Sequence, residues 1–186
     1  TESTKQVASA AEFGKRSKEP KILELGTGTG AISLALASEL PNLAITATDI
    51  SATALEIAKN NAKALAIKNV KFILSDWYAK IGAEQFDIIV SNPPYIEAND
   101  PHLDRGDVRF EPKNALISGD DGLESLANII AGANKHLTEH GIILVEHGYN
   151  QRIAVNELLK INNFQSIRCW QDLAGNDRVS CGIKQR

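Results

Sequence analysis

Lys21-Ile22-Leu23-Glu24-Leu25 passes without a break into Gly26-Thr27-Gly28-Thr29-Gly30 and then into the almost wholly apolar residues 31–40. A short apolar run reads as a buried strand and the longer one as a helix. The glycines between them let the backbone turn and approach a ligand with no Cβ in the way, and the helix start leaves N–H groups free. Strand, glycine loop and helix in that order open a doubly wound α/β sheet. The same alternation continues: residues 44–48 form a second strand, 51–65 a helix with Leu55, Ala58, Ala62 and Leu65 on one stripe, 70–74 a third strand and 86–91 a fourth. In such a sheet ligands collect at the C-terminal ends of the strands. Asp49 stands at one of these ends, nineteen residues after Gly30, close to the spacing at which an acidic residue meets a ribose. A carboxylate only accepts, so Asp49 suits a pair of ribose hydroxyls; its alternative is to cap the helix that follows. Ser75-Asp76-Trp77 closes the third strand, and there Asp76 is placed either to accept from an exocyclic adenine amine or to be a solvated loop residue.

The fourth strand ends in Asn92-Pro93-Pro94-Tyr95. The residue before a proline is pushed to extended geometry and proline has no N–H for a ladder, so two prolines stop the strand and stiffen the loop. The carbonyls of such a loop are left to accept. Asn92 adds an amide oxygen, so the segment offers two acceptors side by side with the ring of Tyr95 near them, a setting for a planar NH2 group. The plain alternative is an ordinary proline turn after a strand. Gly26-x-Gly28-x-x-Ala31 also satisfies the GxGxxA pattern of nicotinamide and flavin enzymes, so the glycine loop alone leaves a dehydrogenase, a methyltransferase and a non-catalytic binding module open.

The remainder of the chain completes one domain. Residues 96–121 carry four glycines and prolines and no periodicity, and a loop of that length in a compact domain is usually functional or disordered, here a substrate-facing lid. Residues 122–137 read as a helix with Leu123, Leu126, Ile130, Ala133 and Leu137 in register, 142–146 as a strand and about 150–162 as a helix. Strands 166–171 and 179–183 are too close for a crossover helix and are expected as an antiparallel hairpin. With 186 residues, 43% hydrophobic and 23% charged, the chain fits one globular core, and a formal charge of -3 gives no general attraction to a phosphate backbone. No apolar run spans a bilayer and no signal-peptide pattern opens the chain, so the cytoplasm is the expected compartment. Cys169 and Cys181 have no metal-ligand spacing and read as reduced; the four histidines form no ligand pair, so no metal site is expected. Residues 1–19 read as a flanking helix. The sequence has no methionine, not even at position 1, which is expected either of a fragment or of a sequence from which residues are missing.

On these residues the chain resembles the class I S-adenosylmethionine-dependent methyltransferases: residues 24–30 are similar to their donor-binding motif, and Asn92-Pro93-Pro94-Tyr95 to the motif of those that methylate planar amino groups. Three stretches carry the resemblance further, to the HemK-type (PrmC) release-factor glutamine methyltransferases: Ser91–Ile96; Phe110-Glu111-Pro112 with Ala115-Leu116 and Gly122-Leu123; and Asp172-Leu173-Ala174-Gly175-Asn176-Asp177-Arg178-Val179. The resemblance implies a Rossmann-like, mostly parallel seven-stranded sheet with an antiparallel C-terminal hairpin strand and helices on both faces. It makes residues 21–186 the catalytic domain, and residues 1–20 a flanking helix or linker after an N-terminal helical region that family members carry and this sequence lacks. The implied reaction moves a methyl from S-adenosylmethionine to the amide nitrogen (N5) of the glutamine in the Gly-Gly-Gln motif of peptide chain release factors; the alternative is an amino-methyltransferase of DNA or RNA bases. Glu24, Gly26, Thr27, Gly28, Gly30, Asp49, Ile50, Asp76, Trp77 and Asn92 are the implied donor site. Asn92, Pro93, Pro94 and Tyr95 are the implied substrate site, with Asn92, Pro93 and Tyr95 catalytic. The implied partner is the release factor, met by a monomer with no membrane or stable nucleic-acid contact.

Overall fold

A computed structural model describes residues 20–97 and 116–185. The helix expected over residues 1–19, and Phe110, Glu111, Pro112 and Ala115, lie outside them. Strands β1 (Lys21–Leu25), β2 (Ala44–Asp49), β3 (Val70–Leu74), β4 (Phe86–Ser91), β5 (Leu137–Glu146), β6 (Phe164–Gln171) and β7 (Asp177–Lys184) form one sheet in the order β3-β2-β1-β4-β5-β7-β6. The first five run parallel, and β7 is antiparallel to both of its neighbours. Helices α1 (Ala31–Glu39), α2 (Ala52–Ala64), α3 (Glu124–His136) and α4 (Arg152–Ile161) connect them.

The period-2 geometry of strands sorts the core into two layers. Ile22, Ile88, Val90, Ile142 and Leu144 meet Ile32 and Leu36 of α1 on one face; Leu23, Leu25, Ile89, Ile143 and Val145 meet Leu126, Ile130, Val155 and Leu159 of α3 and α4 on the other. With helices on both faces the central strands carry no polar side, which is why they read as continuous apolar runs. Each fully buried leucine or isoleucine contributes about 1.5–3 kcal/mol relative to exposure.

Three boundaries differ from the sequence reading. The helix expected from residue 122 starts at Glu124, because Gly122 has φ +71, outside the helical region. The strand expected at residue 142 starts at Leu137, which pairs with Phe86; a register shift follows, and His140 sits at φ 61 before pairing resumes at Ile142. Leu137 is fully buried and satisfies a helical period as well as a strand, so apolar spacing alone misplaces the junction. Third, the expected irregular loop of residues 96–121 is ordered at its described ends, where Ile96 bridges Ile117 in parallel and its N–H donates to Leu116 O at 2.9 Å. The C-terminal hairpin forms, β6 (Phe164–Gln171) beginning two residues earlier than expected and β7 (Asp177–Lys184) extending beyond the expected strand at both ends. Among the described residues no helix is long and apolar enough to cross a membrane, and no group of His, Cys, Asp or Glu could hold a metal ion. Both cysteines are free.

Candidate active site

The chain leaves β1 toward β2 and β3 on one side and returns on the other as β4, so the crevice between β1 and β4 is the topological switch point at which open α/β sheets bind ligands. Their register pairs Leu25 with Ser91. The glycine loop and the Asn92–Tyr95 loop therefore leave the sheet side by side. The buried Ser91 hydroxyl donates to Leu25 O at 2.7 Å, locking the two exits together. Sequence reasoning gave Ser91 no role of its own.

In the glycine loop Gly26, Gly28 and Gly30 all have positive φ (70°, 56° and 85°). A Cβ on Gly28 would meet nothing within 4 Å, so the loop faces open space there, whereas one on Gly30 would come within 3.0–3.2 Å of Leu34 and Ala58. Gly28 faces open space and Gly30 lets α1 close against α2. Outside contacts hold the loop: Thr27 N donates to Thr48 O at 2.9 Å, and Asn61 of α2 donates to Thr29 O at 3.0 Å.

Glu24, which the motif groups with the donor-binding residues, lies beneath this loop with 1% of its surface exposed. Its carboxyl accepts from the Thr27 hydroxyl at 2.6 Å and from Ser33 N at 3.2 Å. It braces the loop against the first turn of α1. Burial pushes this carboxyl up from 4.5 to about 7, against the opposing hydrogen bonds from Thr27 and Ser33. The folded state therefore holds a proton that the unfolded chain releases near pH 4.5. The resulting stability is full below that pH and is lost as pH rises through about 7. Urea unfolding should accordingly show wild type losing stability between about pH 5 and 7.5 relative to Glu24→Gln. Parallel pH curves for the two proteins would remove the buried proton.

Asp49 is half-buried at the end of β2, where Oδ2 accepts from Gly28 N and Oδ1 from Ser51 N, both at 2.8 Å. The capping alternative is excluded by Ser51, which is itself the N-cap of α2 and accepts from Ala54 N. Ile50 is 71% exposed beside it. After β3 the buried Ser75 hydroxyl donates to Trp77 O at 2.9 Å and accepts from Lys80 N at 3.0 Å, shaping the turn. Trp77, at φ 41, lays its ring over Gly26, 3.4 Å from where a Cβ would stand, while Asp76 is exposed. Asp49 thus meets the glycine loop at Gly28 and Trp77 meets it at Gly26, Glu24 lies beneath the loop, and Asp76 stands exposed beside Trp77.

Asn92 is exposed at the head of its loop, and no hydrogen bond ties its side chain to another described residue. Pro93 behind it is buried; Pro94 and Tyr95 are half-buried, and Tyr95 packs against the α3 side of the core. The β6–β7 turn stands at the same edge of the sheet, beside the end of β5 where Val179 pairs with Glu146. There Asp172 accepts from Asn176 N at 3.0 Å, Ala174 N at 2.9 Å and Arg178 Nη2 at 3.1 Å. These bonds, the Asn176 amide foremost, hold its carboxyl below the usual range. Arg178 also donates to His147 O, tying the turn to the end of β5.

A family model described as "Methyltransferase small domain" matches residues 10–107, from ahead of β1 to past Tyr95. The chain belongs to this methyltransferase family. Among curated relatives it is 47% identical over 165 residues to the release factor glutamine methyltransferase of Salmonella typhimurium, covering 89% of this chain and 60% of that protein. It thus spans about 60% of the length of the relative it matches. Among solved structures, the ribosomal protein L11 methylase of Lactobacillus delbrueckii subsp. bulgaricus superposes with TM-score 0.69 at 21% identity, covering 100% of this chain and 80% of that one. A Thermus thermophilus 16S rRNA methyltransferase in complex with AdoMet and guanosine gives 0.67 at 18% identity, covering 98% and 42%. These structural likenesses carry the fold: in this methyltransferase-family chain the glycine loop is framed by the Rossmann-like sheet expected from the sequence.

Proposed function

We propose that this chain transfers a methyl group from S-adenosylmethionine to the side-chain amide nitrogen, N5, of the glutamine in the Gly-Gly-Gln motif of peptide chain release factors. The observation that carries this reading is the Leu25–Ser91 register, which sets the open glycine loop beside an exposed Asn92 amide that no hydrogen bond ties to another described residue. The residues fit the donor. The space in front of Gly28 admits its backbone-hugging part, and Asp49, already held by two N–H groups, keeps acceptor capacity for ribose hydroxyls. Exposed Ile50 offers an apolar surface for the adenine, Asp76 an acceptor for its amine, and Trp77 a wall over Gly26, while Glu24 and Thr27 keep the loop in shape. When bound, the donor supplies a methyl on a positively charged sulfur.

The protein's own contribution is alignment. An amide nitrogen is a weak nucleophile because its lone pair is delocalised into the carbonyl. The Asn92 amide oxygen and the Pro93 carbonyl accept the two N–H bonds of the substrate amide, and the remaining lobe is aimed at the crevice. Pro94 keeps this segment stiff, and Tyr95 packs against the flat amide. No side chain has to take the proton, which water can accept after transfer. On this reading the chain acts as a monomer in the cytoplasm and forms no stable nucleic-acid complex. The name of the Salmonella relative supports the substrate.

The test is to offer methyl-labelled S-adenosylmethionine with release factor, DNA and ribosomal RNA in separate reactions. Label should enter the release factor at a single glutamine. Label in either nucleic acid and none in the release factor would replace this reading by the nucleic-acid one.

A further inference from the structure

Behind the Asn92–Tyr95 loop a single side-chain amide joins three separate segments. Gln151, 7% exposed and the N-cap of α4, accepts on Oε1 from Gly148 N at 2.8 Å. Its Nε2 donates to Tyr95 O at 3.0 Å, with Asp121 O at 3.5 Å beside it. The orientation is forced, because a flipped amide would point its NH2 at an N–H and its oxygen at two carbonyls. The backbone is fixed as well: Gln151 N donates to Gly148 O, and Val155 N to Gln151 O, both at 2.9 Å. Gly122 completes the junction. A Cβ there would stand 2.4 Å from Tyr95 O and 2.7 Å from Gln151 Nε2, so a residue without one is what lets the two meet. On its far side the junction rests on His147, fully buried, whose ring bonds Gly148 O at 2.8 Å and the Ser180 hydroxyl of β7 at 2.9 Å. A continuous polar path thus runs from the sheet to the last carbonyl of the loop.

We infer that Gln151 is a positioning residue for methyl transfer: by holding Tyr95 O it fixes the downstream end of the Asn92–Tyr95 loop, and with it the aim of the acceptors at Asn92 and Pro93. This rests on the substrate reading above. The upstream end of the loop is tied separately, through Ser91 to Leu25, so both ends are anchored by buried side chains while Asn92 between them is exposed. The glycine loop and Asp49 make none of their bonds to Gln151 or Gly148, so loss of the junction leaves donor binding intact.

Gln151→Glu keeps the shape and the acceptor toward Gly148 but, when ionised, turns an acceptor toward the two carbonyls; protonated, it regains the donor. Burial raises the pKa of a carboxyl, so it takes up its proton at a less acidic pH than an exposed one. In the native full-length protein, kcat on release factor should fall about tenfold or more near pH 8 and recover toward wild type near pH 6, the loss of one hydrogen bond plus repulsion. KM for release factor and the Kd for S-adenosylhomocysteine should stay within about twofold. Should Gln151→Glu fail to fold, Gln151→Asn, too short to span Gly148 and Tyr95, should lower kcat with the same unchanged Kd. An active wild type beside variants of equal kcat, or a rate that falls only in step with S-adenosylhomocysteine affinity or with the unfolded fraction, overturns the inference alone. A wild type that labels no release factor overturns the substrate reading and the inference with it.

Discussion

Asn92→Ala should lower kcat for methyl transfer about 10²–10³-fold while leaving the affinity for S-adenosylhomocysteine nearly unchanged, the loss seen when one preorganised transition-state hydrogen bond is removed. The expectation follows from where the residue sits. Asn92 is exposed, its amide is bonded to no other described residue, and the loop is anchored at its two ends by Ser91 and Tyr95 instead. Truncating it removes an acceptor from the crevice without removing a strut from the fold. Single-turnover kinetics on release factor, run beside thermal unfolding, separate the outcomes. A variant that keeps near-normal kcat, or loses rate only in proportion to the fraction unfolded, takes Asn92 out of the mechanism and most of the case for an amide substrate with it.

Asp49→Ala should act on the other half of the site. The substitution removes the acceptor for Gly28 N and Ser51 N and, on the proposed reading, the ribose acceptor too. Hydrogen bonds to a charged group are each worth about 1.5–3 kcal/mol, so S-adenosylhomocysteine affinity should fall about 10²-fold or more. Asp49→Asn should not rescue it, because the amide NH2 would face one of two N–H donors. Calorimetry supplies the number, with NAD as the control ligand that should not bind. An unfolding midpoint that drops while the S-adenosylhomocysteine Kd holds would make Asp49 a strut of the loop only. Saturable binding of NAD in place of S-adenosylhomocysteine would turn the crevice over to hydride chemistry.

The parts of the site legible in the sequence are those whose meaning is local. A glycine loop between a strand and a helix, an aspartate at a strand end and two prolines after an apolar run each follow from a few consecutive residues, and the parallel sheet put them together. What stayed out of reach depends on partners far along the chain. Ser91 meets Leu25 across 66 residues and Gln151 meets Tyr95 across 56, and neither serine nor glutamine carries a signal of such pairing in its neighbours. Glu24 shows the opposite limit. The motif groups it with the donor-binding residues, but only its burial and the bond from Ser33 N show that it lies beneath the loop and braces it. The misplaced start of α3 is of the same kind, because Gly122 fits the end of a polar loop as well as the start of a helix until Tyr95 O is found against it.

The position of β7 between β5 and β6 sets the order in which the sheet can be finished as the chain is made. β6 comes first in the chain but has no place beside β5; among the described residues it pairs only with β7, and β7 covers the open side of β5. Without Asp177–Lys184 in place, the five strands β1–β5 leave a long, apolar, unpaired edge at Ile142–Val145, the kind of surface that other chains can add to. The same strand carries Ser180, the partner of His147 beneath Gly148 and Gln151. Closure of the edge and completion of the polar path behind the Asn92–Tyr95 loop thus depend on the same strand.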